Sequence, residues 1–415
     1  MLTNYFEDVL TLNRLRSGPS GPYIDGFASE LHNDGYTWWT SRRYLRAAAH
    51  FGIWTMREGI FIPEIAHESI ERFGNHLPLC TCPDAKGGKT KDAILGASHF
   101  VEYLHKIGVL NAPLLGKGNE TVLSPLHERF NNWMREHRGV TERTLEIYRP
   151  MISEFLGRFA ETPEMLEIKS IRTFILDRAR RGGKSKAKLI TKAIRMFLRY
   201  LASVGKCSAY LLEGIPSIAN WRLSPLPGYL QASDVDRIID SCDSTTAIGC
   251  RDRAIILLLA RLGLRANDVV KLSLSDIDWD EACIKVSGKG RRECKLPLSQ
   301  EVGDAILEYL NRGRPSVEND HVFIRAVAPL RPLDSGSAVS AIVARSIRRA
   351  GITAPSHGAH LLRHSVATNM LREGVSLYDI SVILRHCSVE TTRIYTKVDI
   401  ELLKEVVQPW PEVLQ

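Results

Sequence analysis

The sequence lacks any apolar run long enough to cross a membrane. Its longest apolar stretch, AIILLLA at 254–260, falls far short of the roughly 20 residues that a membrane-spanning helix needs. The first residues, MLTNYFEDVL, also lack the basic segment followed by an apolar one that marks a secretory signal. We therefore expect a cytoplasmic protein, associated with the nucleoid if it binds DNA.

Cysteines are few and mostly stand alone, which is typical of reduced thiols and not of a disulfide framework. One stretch, NHLPLCTC, brings His76, Cys80 and Cys82 close together, and these three side chains could ligate zinc. Because no second cysteine pair lies at ligand spacing, we interpret this stretch as a loop with ordinary thiols. The sequence therefore predicts no metal site.

Motifs for nucleotide-dependent and metal-dependent catalysis are also missing. There is no GxxxxGK[ST] loop, no GxGxxG after a predicted strand, and no carboxylate cluster of the kind that a two-metal nuclease needs. These absences agree with an activity that needs no metal or nucleotide cofactor.

Basic residues outnumber acidic ones, 55 to 47, and this balance suits a polyanionic partner such as DNA. Residues 126–200 have a helical pattern, and the last two predicted helices carry a basic run against one acid, Asp177. Such a run is usually a solvated helix face, but RRGGKSKAK also forms a basic turn before a helix, which favours contact with DNA phosphates. The run consists of Arg178, Arg180, Arg181, Lys184, Lys186, Lys188, Lys192, Arg195 and Arg199.

The chain divides into five predicted segments. Residues 1–115 form an extra helical module that we hypothesise to contact DNA, and residues 120–213 form a helical domain. A linker rich in proline and glycine at 214–230 leads to a domain at 231–400, where CIKVSG and CKLPL predict a β-hairpin among helices. Residues 401–415 form an amphipathic tail.

Tyr395 lies in the stretch RHCSVETTRIYTKV and is either a packed aromatic residue or a nucleophile. Four stretches decide between these: GLRANDVVKLSLSDID, VSGKGRRECKLPL, HLLRHSVATNMLREG and LRHCSVETTRIYTKVD. In order and spacing they resemble the boxes of the tyrosine recombinases of the phage integrase type, including the Xer-like enzymes. The resemblance covers roughly residues 125–407 and is strongest after residue 250.

The resemblance implies a multidomain, mainly α protein. It would have a helical, SAM-like core-binding domain and a mixed α+β catalytic domain with a small antiparallel sheet, and it would clamp DNA between the two. By the same resemblance, protomers assemble on paired DNA sites, in a tetramer with two active at a time. The resemblance also implies that the tail at 401–415 docks on a neighbouring protomer, with packing on its own domain as the alternative. The implied catalytic residues are Arg265, Lys289, His360, Arg363, His386 and the nucleophile Tyr395, with Asp268 in support where the family usually has Glu.

Each implied role agrees with the chemistry of its residue type. Two guanidiniums can clamp the non-bridging oxygens of a phosphodiester, as Arg265 and Arg363 would do. His360 would take up or relay the proton of Tyr395, because a phenol with a pKa of about 10 is a poor nucleophile at neutral pH. We interpret His364 as structural, facing away from the site.

Each of these residues also has an ordinary alternative. Arg265 alone could be a helix-terminal arginine in a local salt bridge, and a lone histidine is more often a satisfied core residue. Lys289, in the hairpin turn, would protonate the departing 5′ oxygen, with Lys285 and Lys295 as rivals or a solvated lysine as the alternative. The combination of motifs favours the catalytic interpretation.

One position departs from the family pattern. Where LGH is usual before the last histidine, this chain has LRH, which places Arg385 beside His386. Arg385 either accepts ordinary helical geometry or adds a phosphate contact, since a glycine there would permit close packing or a positive φ.

The sequence therefore predicts a tyrosine recombinase that integrates, excises or transposes a mobile element through a 3′-phosphotyrosyl intermediate. Two alternatives remain open: a relaxing topoisomerase or resolvase with the same residues, and a DNA-binding regulator of the same fold that has lost activity.

Overall fold

The computed structural model describes residues 1–80, 82, 90–110, 124–159, 166–216, 228–287, 293–386, 392 and 395. The chain forms two compact units, one made of residues 1–114 and 223–415, the other of residues 115–222. Within the described ranges, no helix has both the length and the apolar character that a bilayer requires.

The N-terminal part of the first unit is helical. It contains α1 (Val9–Ser17), α2 (Gly21–Asn33), α3 (Trp38–Arg57), α4 (His67–His76) and α5 (Thr90–Lys106). Helix α3 buries Tyr44, Ala48 and Phe51 at spacings of three and four residues, so one face of it enters the core. Several aromatic rings lie in this core, and Phe51 packs edge-on against Phe73 of α4.

The second unit contains α6 (Pro125–Arg138), α7 (Glu142–Phe159) and α8 (Ile168–Ser203) around its own apolar core. Helix α6 begins at the N-cap Ser124 with a proline at its first position, and it ends at Gly139, which has a φ of 54°. Helix α8 breaks at Gly183, where φ is 71° and ψ is 174°. The two helices that the sequence predicted on either side of RRGG therefore meet at this glycine.

The rest of the first unit surrounds a buried helix, α10 (Ala247–Arg261). It contains α9 (Ala232–Asp240), α11 (Ala266–Lys271), α12 (Gln300–Glu308), α13 (Gly336–Arg349), α14 (Ala359–Arg372) and α15 (Leu377–Ile383). Three strands, β1 (Ile277–Asp278), β2 (Cys283–Ser287) and β3 (Glu293–Pro297), form an antiparallel sheet in that order. The predicted hairpin is β2–β3. Strand β1 was not predicted, because two residues are too few to show alternation.

The two parts of the first unit have separate apolar cores. A backbone hydrogen bond joins them, since the Leu330 N–H donates to the Asp34 carbonyl at 2.8 Å. The boundaries drawn from sequence at residues 115, 120, 213, 230 and 400 stay predictions.

Candidate active site

A left-handed turn after α10 positions Arg265. Gly263 has a φ of 58°, and a Cβ there would lie 2.6 Å from Cδ2 of Leu384, so both the backbone and the available space require glycine. Arg265 then becomes the N-cap residue of α11, and its N–H donates to Oδ2 of Asp268 at 3.1 Å. The GLR sequence thus ends one helix and begins the next with Arg265 at the junction.

Arg363 lies on α14 and is buried, with 4% of its surface exposed. Its Nη1 donates to the carbonyl of Gly263 and its Nη2 to the carbonyl of Leu384. Arg265 makes a similar contact, since its Nη2 donates to the Arg385 carbonyl at 2.8 Å. The two arginines therefore hold together the turn after α10, helix α14 and the segment after α15.

Positive charge accumulates at this point. Burial, followed by the charges of Arg265 and Arg385, lowers the pKa of Arg363 to about 10. Asp268 is a nearby carboxylate, and it pairs with Arg385 at 2.7 Å. Grouped guanidiniums repel one another in a low-dielectric site, so an anion bound here would be stabilised.

Arg385 has an unusual backbone conformation, with a φ of 53°. It follows α15 at the C′ position of a Schellman motif: its N–H donates to Val382, and the His386 N–H donates to Ser381, both at 2.9 Å. Of the two alternatives for Arg385, ordinary helical geometry is therefore wrong, because this turn needs a left-handed residue. The side chain is 7% exposed against Asp268, so the predicted phosphate contact would require this ion pair to open.

Tyr395 is buried, with 1% of its surface exposed, and its ring packs with Ala367, Ile380 and Leu384. Its hydroxyl lies 2.8 Å from Nδ1 of His364 and donates to that nitrogen when the nitrogen is unprotonated. Burial raises the pKa of Tyr395 to about 12, against a smaller lowering by Arg363. The residue is thus both a packed aromatic and a hydroxyl held at the edge of the arginine cluster.

The interpretation of His364 as facing away from the site is wrong. His364 follows His360 by four residues on α14, so the two rings share one helix face, with centroids 6.3 Å apart. Burial, followed by the charges of His360 and Arg363, lowers the pKa of His364. A neutral imidazole therefore meets the tyrosine hydroxyl, and the four-residue spacing is the sequence signal that could have found it.

The two predicted catalytic histidines occupy different surroundings. His360 is exposed at the first turn of α14, although partial loss of water around its ring, then Arg363 and Arg265, lower its pKa. The Nδ1 of His386 lies 2.7 Å from Oγ1 of Thr392, and burial, followed by Arg363, Arg265 and His364, lowers the pKa of His386 to about 4. His386 is therefore neutral at physiological pH.

Two predicted residues cannot be placed in this way. Lys289 lies outside the described residues, as does the side chain of Lys184. The two rivals of Lys289 are Lys285 and Lys295. They face each other across β2 and β3, and both are exposed.

The predicted basic run follows α8 on both sides of Gly183. Arg180, Arg181, Lys186, Lys192 and Arg199 are exposed, whereas Arg178, Lys188 and Arg195 are partly buried. Arg178 forms an ion pair with Glu154 of α7, which leaves the exposed members as better candidates for a phosphate contact.

Comparison with known proteins gives concordant matches. Residues 228–401 match the sequence model of the phage integrase family. The protein y4rA of Sinorhizobium fredii, whose name assigns it to the integrases and recombinases, is 37% identical over 405 residues, 96% of this chain and 97% of its own. The tyrosine recombinase XerC of Thermodesulfovibrio yellowstonii is 31% identical over 286 residues, 67% of this chain and 93% of its own.

A solved structure shares the fold. The XerH site-specific recombinase, bound to a palindromic difH substrate in a post-cleavage complex, aligns with a TM-score of 0.55 at 18% identity. The alignment covers 81% of this chain and 93% of the XerH chain. The predicted combination of a helical domain and a mixed domain with a small antiparallel sheet is thereby confirmed.

Proposed function

The chain belongs to the phage integrase family, the tyrosine recombinases that cleave and rejoin DNA, and from this membership we propose that Tyr395 is the nucleophile of a site-specific recombinase. Its oxygen attacks a phosphodiester, the bond to the 5′ oxygen breaks, and a 3′-phosphotyrosyl link forms. The 5′ hydroxyl of another strand then reverses the step. The observation that carries this proposal is the buried Tyr395 hydroxyl beside the histidines and paired arginines.

Arg265 and Arg363 would bind the non-bridging oxygens, where negative charge develops in the transition state. A guanidinium has five N–H donors, and each of these arginines uses some of them on backbone carbonyls, which set the plane of its fork. These carbonyl contacts hold the two guanidiniums in place before the phosphate arrives, so little reorganisation is needed during the reaction.

The tyrosine proton must leave during the attack, because a pKa of about 12 leaves only about one phenol in a hundred thousand ionised at neutral pH. We assign the acceptor role to His364, whose Nδ1 is within hydrogen-bond distance. His360 and His386 would then contact the phosphate oxygens, and Lys289 would supply the proton to the departing 5′ oxygen.

The nucleophile can be tested with a nicked suicide duplex carrying the DNA site that the protein selects from random sequence. The native chain should form a covalent adduct that survives a denaturing gel, and Tyr395→Phe should form none. Tyr309→Phe is the matched control, because Tyr309 is also fully buried and hydrogen-bonded but lies in the main core. An adduct from Tyr395→Phe would refute the assignment, and specific binding without any adduct would favour a non-catalytic regulator.

The exposed basic residues of α8 would grip the DNA backbone. Replacing Lys192 with alanine should weaken binding to all sequences and reduce the slope of log affinity against log salt by about 1. Lys169→Ala, at the start of the same helix and outside the basic run, should leave the slope unchanged. If the two variants had equal slopes of log affinity against log salt, Lys192 would not contact the DNA backbone.

The biological task that we propose is integration, excision or transposition of a mobile element by a tetramer on paired sites. Its support is the extra module at residues 1–115, most of which lies within the match to y4rA. A plasmid assay with two sites separates strand exchange from relaxation of a single site, which would indicate a topoisomerase. Deletion of residues 1–115 should shorten the DNA footprint if this module contacts DNA.

A further inference from the structure

Two histidines and two cysteines converge at the edge of the N-terminal core. The side-chain ligand atoms of His50, His76, Cys80 and Cys82 all lie within 4.8 Å of one another. His50 comes from α3 and His76 is the last residue of α4, so residues far apart in sequence supply this cluster.

Two distances within the cluster match the edges of a tetrahedral metal site, and all of its ligand atoms lie within 4.8 Å of one another. Sγ of Cys80 lies 3.3 Å from Nε2 of His50, and Sγ of Cys82 lies 3.5 Å from Nε2 of His76. Zinc bonds of about 2.3 Å to sulfur and 2.0 Å to nitrogen place tetrahedral ligand atoms about 3.3 to 3.8 Å apart. Two separate thiol–imidazole hydrogen bonds would account for the two short contacts. They would not explain why all four ligand atoms lie within 4.8 Å of one another.

Further donors surround the sulfur atoms. Nη1 of Arg57 donates to Sγ of Cys82 at 2.9 Å, and the backbone N–H of Cys82 donates to Sγ of Cys80 at 3.3 Å. Donors directed at sulfur stabilise the thiolate form, which is the form that binds metal. Cys82 is 8% exposed, and a buried thiolate requires nearby positive charge.

Core packing also holds the two imidazoles in place. The ring of His50 packs edge-on against Phe73 at 5.2 Å between centroids, and the ring of His76 lies 6.3 Å from Trp54. Both aromatic partners belong to the buried core of the N-terminal helices. The histidines therefore present their Nε2 atoms from fixed positions.

We propose that His50, His76, Cys80 and Cys82 bind one zinc ion in a structural site. Four protein ligands close the tetrahedron and leave no position for a reacting water, and a mixed nitrogen and sulfur ligand set favours zinc. The ion would fasten the residues after α4 to the C-terminal half of α3. The sequence predicted no metal site because only His76, Cys80 and Cys82 are close together in the chain. The fourth ligand, His50, comes from α3.

The first test is the metal content of the full-length chain, purified under reducing conditions without chelators. Elemental analysis should find about one zinc per chain. The variants Cys80→Ser and His50→Asn should lose it, while Cys207→Ser and His137→Asn, whose residues lie in the second unit, should retain it. A native chain that carries no zinc and takes up none when zinc chloride is added would overturn the proposal.

A second measurement does not depend on variants that could fail to fold. Cobalt(II) exchanged into the native chain should give the intense visible bands of a tetrahedral site and a thiolate charge-transfer band. The weak spectrum of an octahedral site, or a disulfide between Cys80 and Cys82 in the reduced preparation, would refute it.

The structural role has its own readout. Removing the metal with a chelator should speed amide hydrogen exchange in α3 and α4 and leave α10 unchanged, since those helices have separate cores. Unchanged exchange in α3 and α4 after the metal is lost would refute this role.

Discussion

At position 385, a glycine variant should be more stable than an alanine variant, which is the reverse of the usual order. Its φ of 53° is unfavourable for any residue with a Cβ, and the Schellman motif after α15 maintains that conformation. Arg385→Ala and Arg385→Gly both remove the ion pair to Asp268, so they differ only in how the backbone tolerates the turn. We expect the glycine variant to be more stable than the alanine variant by about 1 kcal/mol.

The glycine variant should also stay close to the native chain. Removing one partner of a buried pair costs about 3–5 kcal/mol. However, Nε and Nη1 of Arg385 are buried without a hydrogen-bond partner among the described residues, and removing each such donor regains about 1–3 kcal/mol. Asp268 keeps the N–H of Arg265 as a donor. We therefore expect Arg385→Gly to lie within about 3 kcal/mol of the native stability, by the same two magnitudes.

The assay is amide hydrogen exchange of α10, which reports the stability of the surrounding core without interference from the second unit. A difference of about 1 kcal/mol appears as about a fivefold difference in exchange rate between the two variants. Ala282→Gly is the control, because Ala282 is exposed, lies outside the site and has a φ of 45°. Glycine should relieve the backbone strain there, so this variant should slow exchange modestly. The reasoning would be refuted if Arg385→Ala were as stable as Arg385→Gly or more stable, that is, if α10 exchanged no faster in the alanine variant.

Three further predictions concern the site. Arg265→Lys keeps the charge but loses the planar fork, so adduct formation on the suicide duplex should fall by about 100-fold or more, with DNA affinity nearly unchanged. His364→Gln should slow single-turnover adduct formation by about 5- to 150-fold, the equivalent of 1–3 kcal/mol for one hydrogen bond to a buried hydroxyl; an unchanged rate would exclude a direct role with Tyr395. The pKa of His386 is lowered from 6.5 to about 4, so its contribution to stability is full above pH 6.5 and is lost as the pH falls towards 4. His386→Asn should flatten stability across that window in urea titrations, and an identical pH profile would contradict this.

The order of the motifs and the helical pattern were predictable because both depend on local spacing. The end of α10 near Gly263 and the β2–β3 hairpin follow from glycine and from residue alternation. The match of a known family to the motifs then placed Arg265, Arg363 and Tyr395 in one site. The structure supports that grouping through the contacts of these side chains.

The remaining features depend on contacts between distant segments. His50 precedes His76 by 26 positions and meets it only because α3 and α4 share an aromatic core. The left-handed φ of Arg385 was not predictable from the arginine itself, because the Schellman motif after α15 maintains it against the preference of a residue with a Cβ. His364 is a different case: its four-residue spacing from His360 puts both rings on one helix face, and this relation can be read from the sequence alone.

The carbonyl contacts of the arginines give a physical reason why the motifs must occur together. Arg363 binds the carbonyl two residues before Arg265 and the carbonyl two residues before His386, and Arg265 binds the carbonyl of Arg385. Each motif therefore helps to position the backbone of another, and an isolated GLR would leave its arginine without this support. For the same reason the effects of substitutions at Arg265 and Arg363 should not add, because either one loosens the segment that the other holds. A double variant close to the worse single variant in adduct rate is the expected outcome, whereas multiplicative losses would mean that the two guanidiniums act independently.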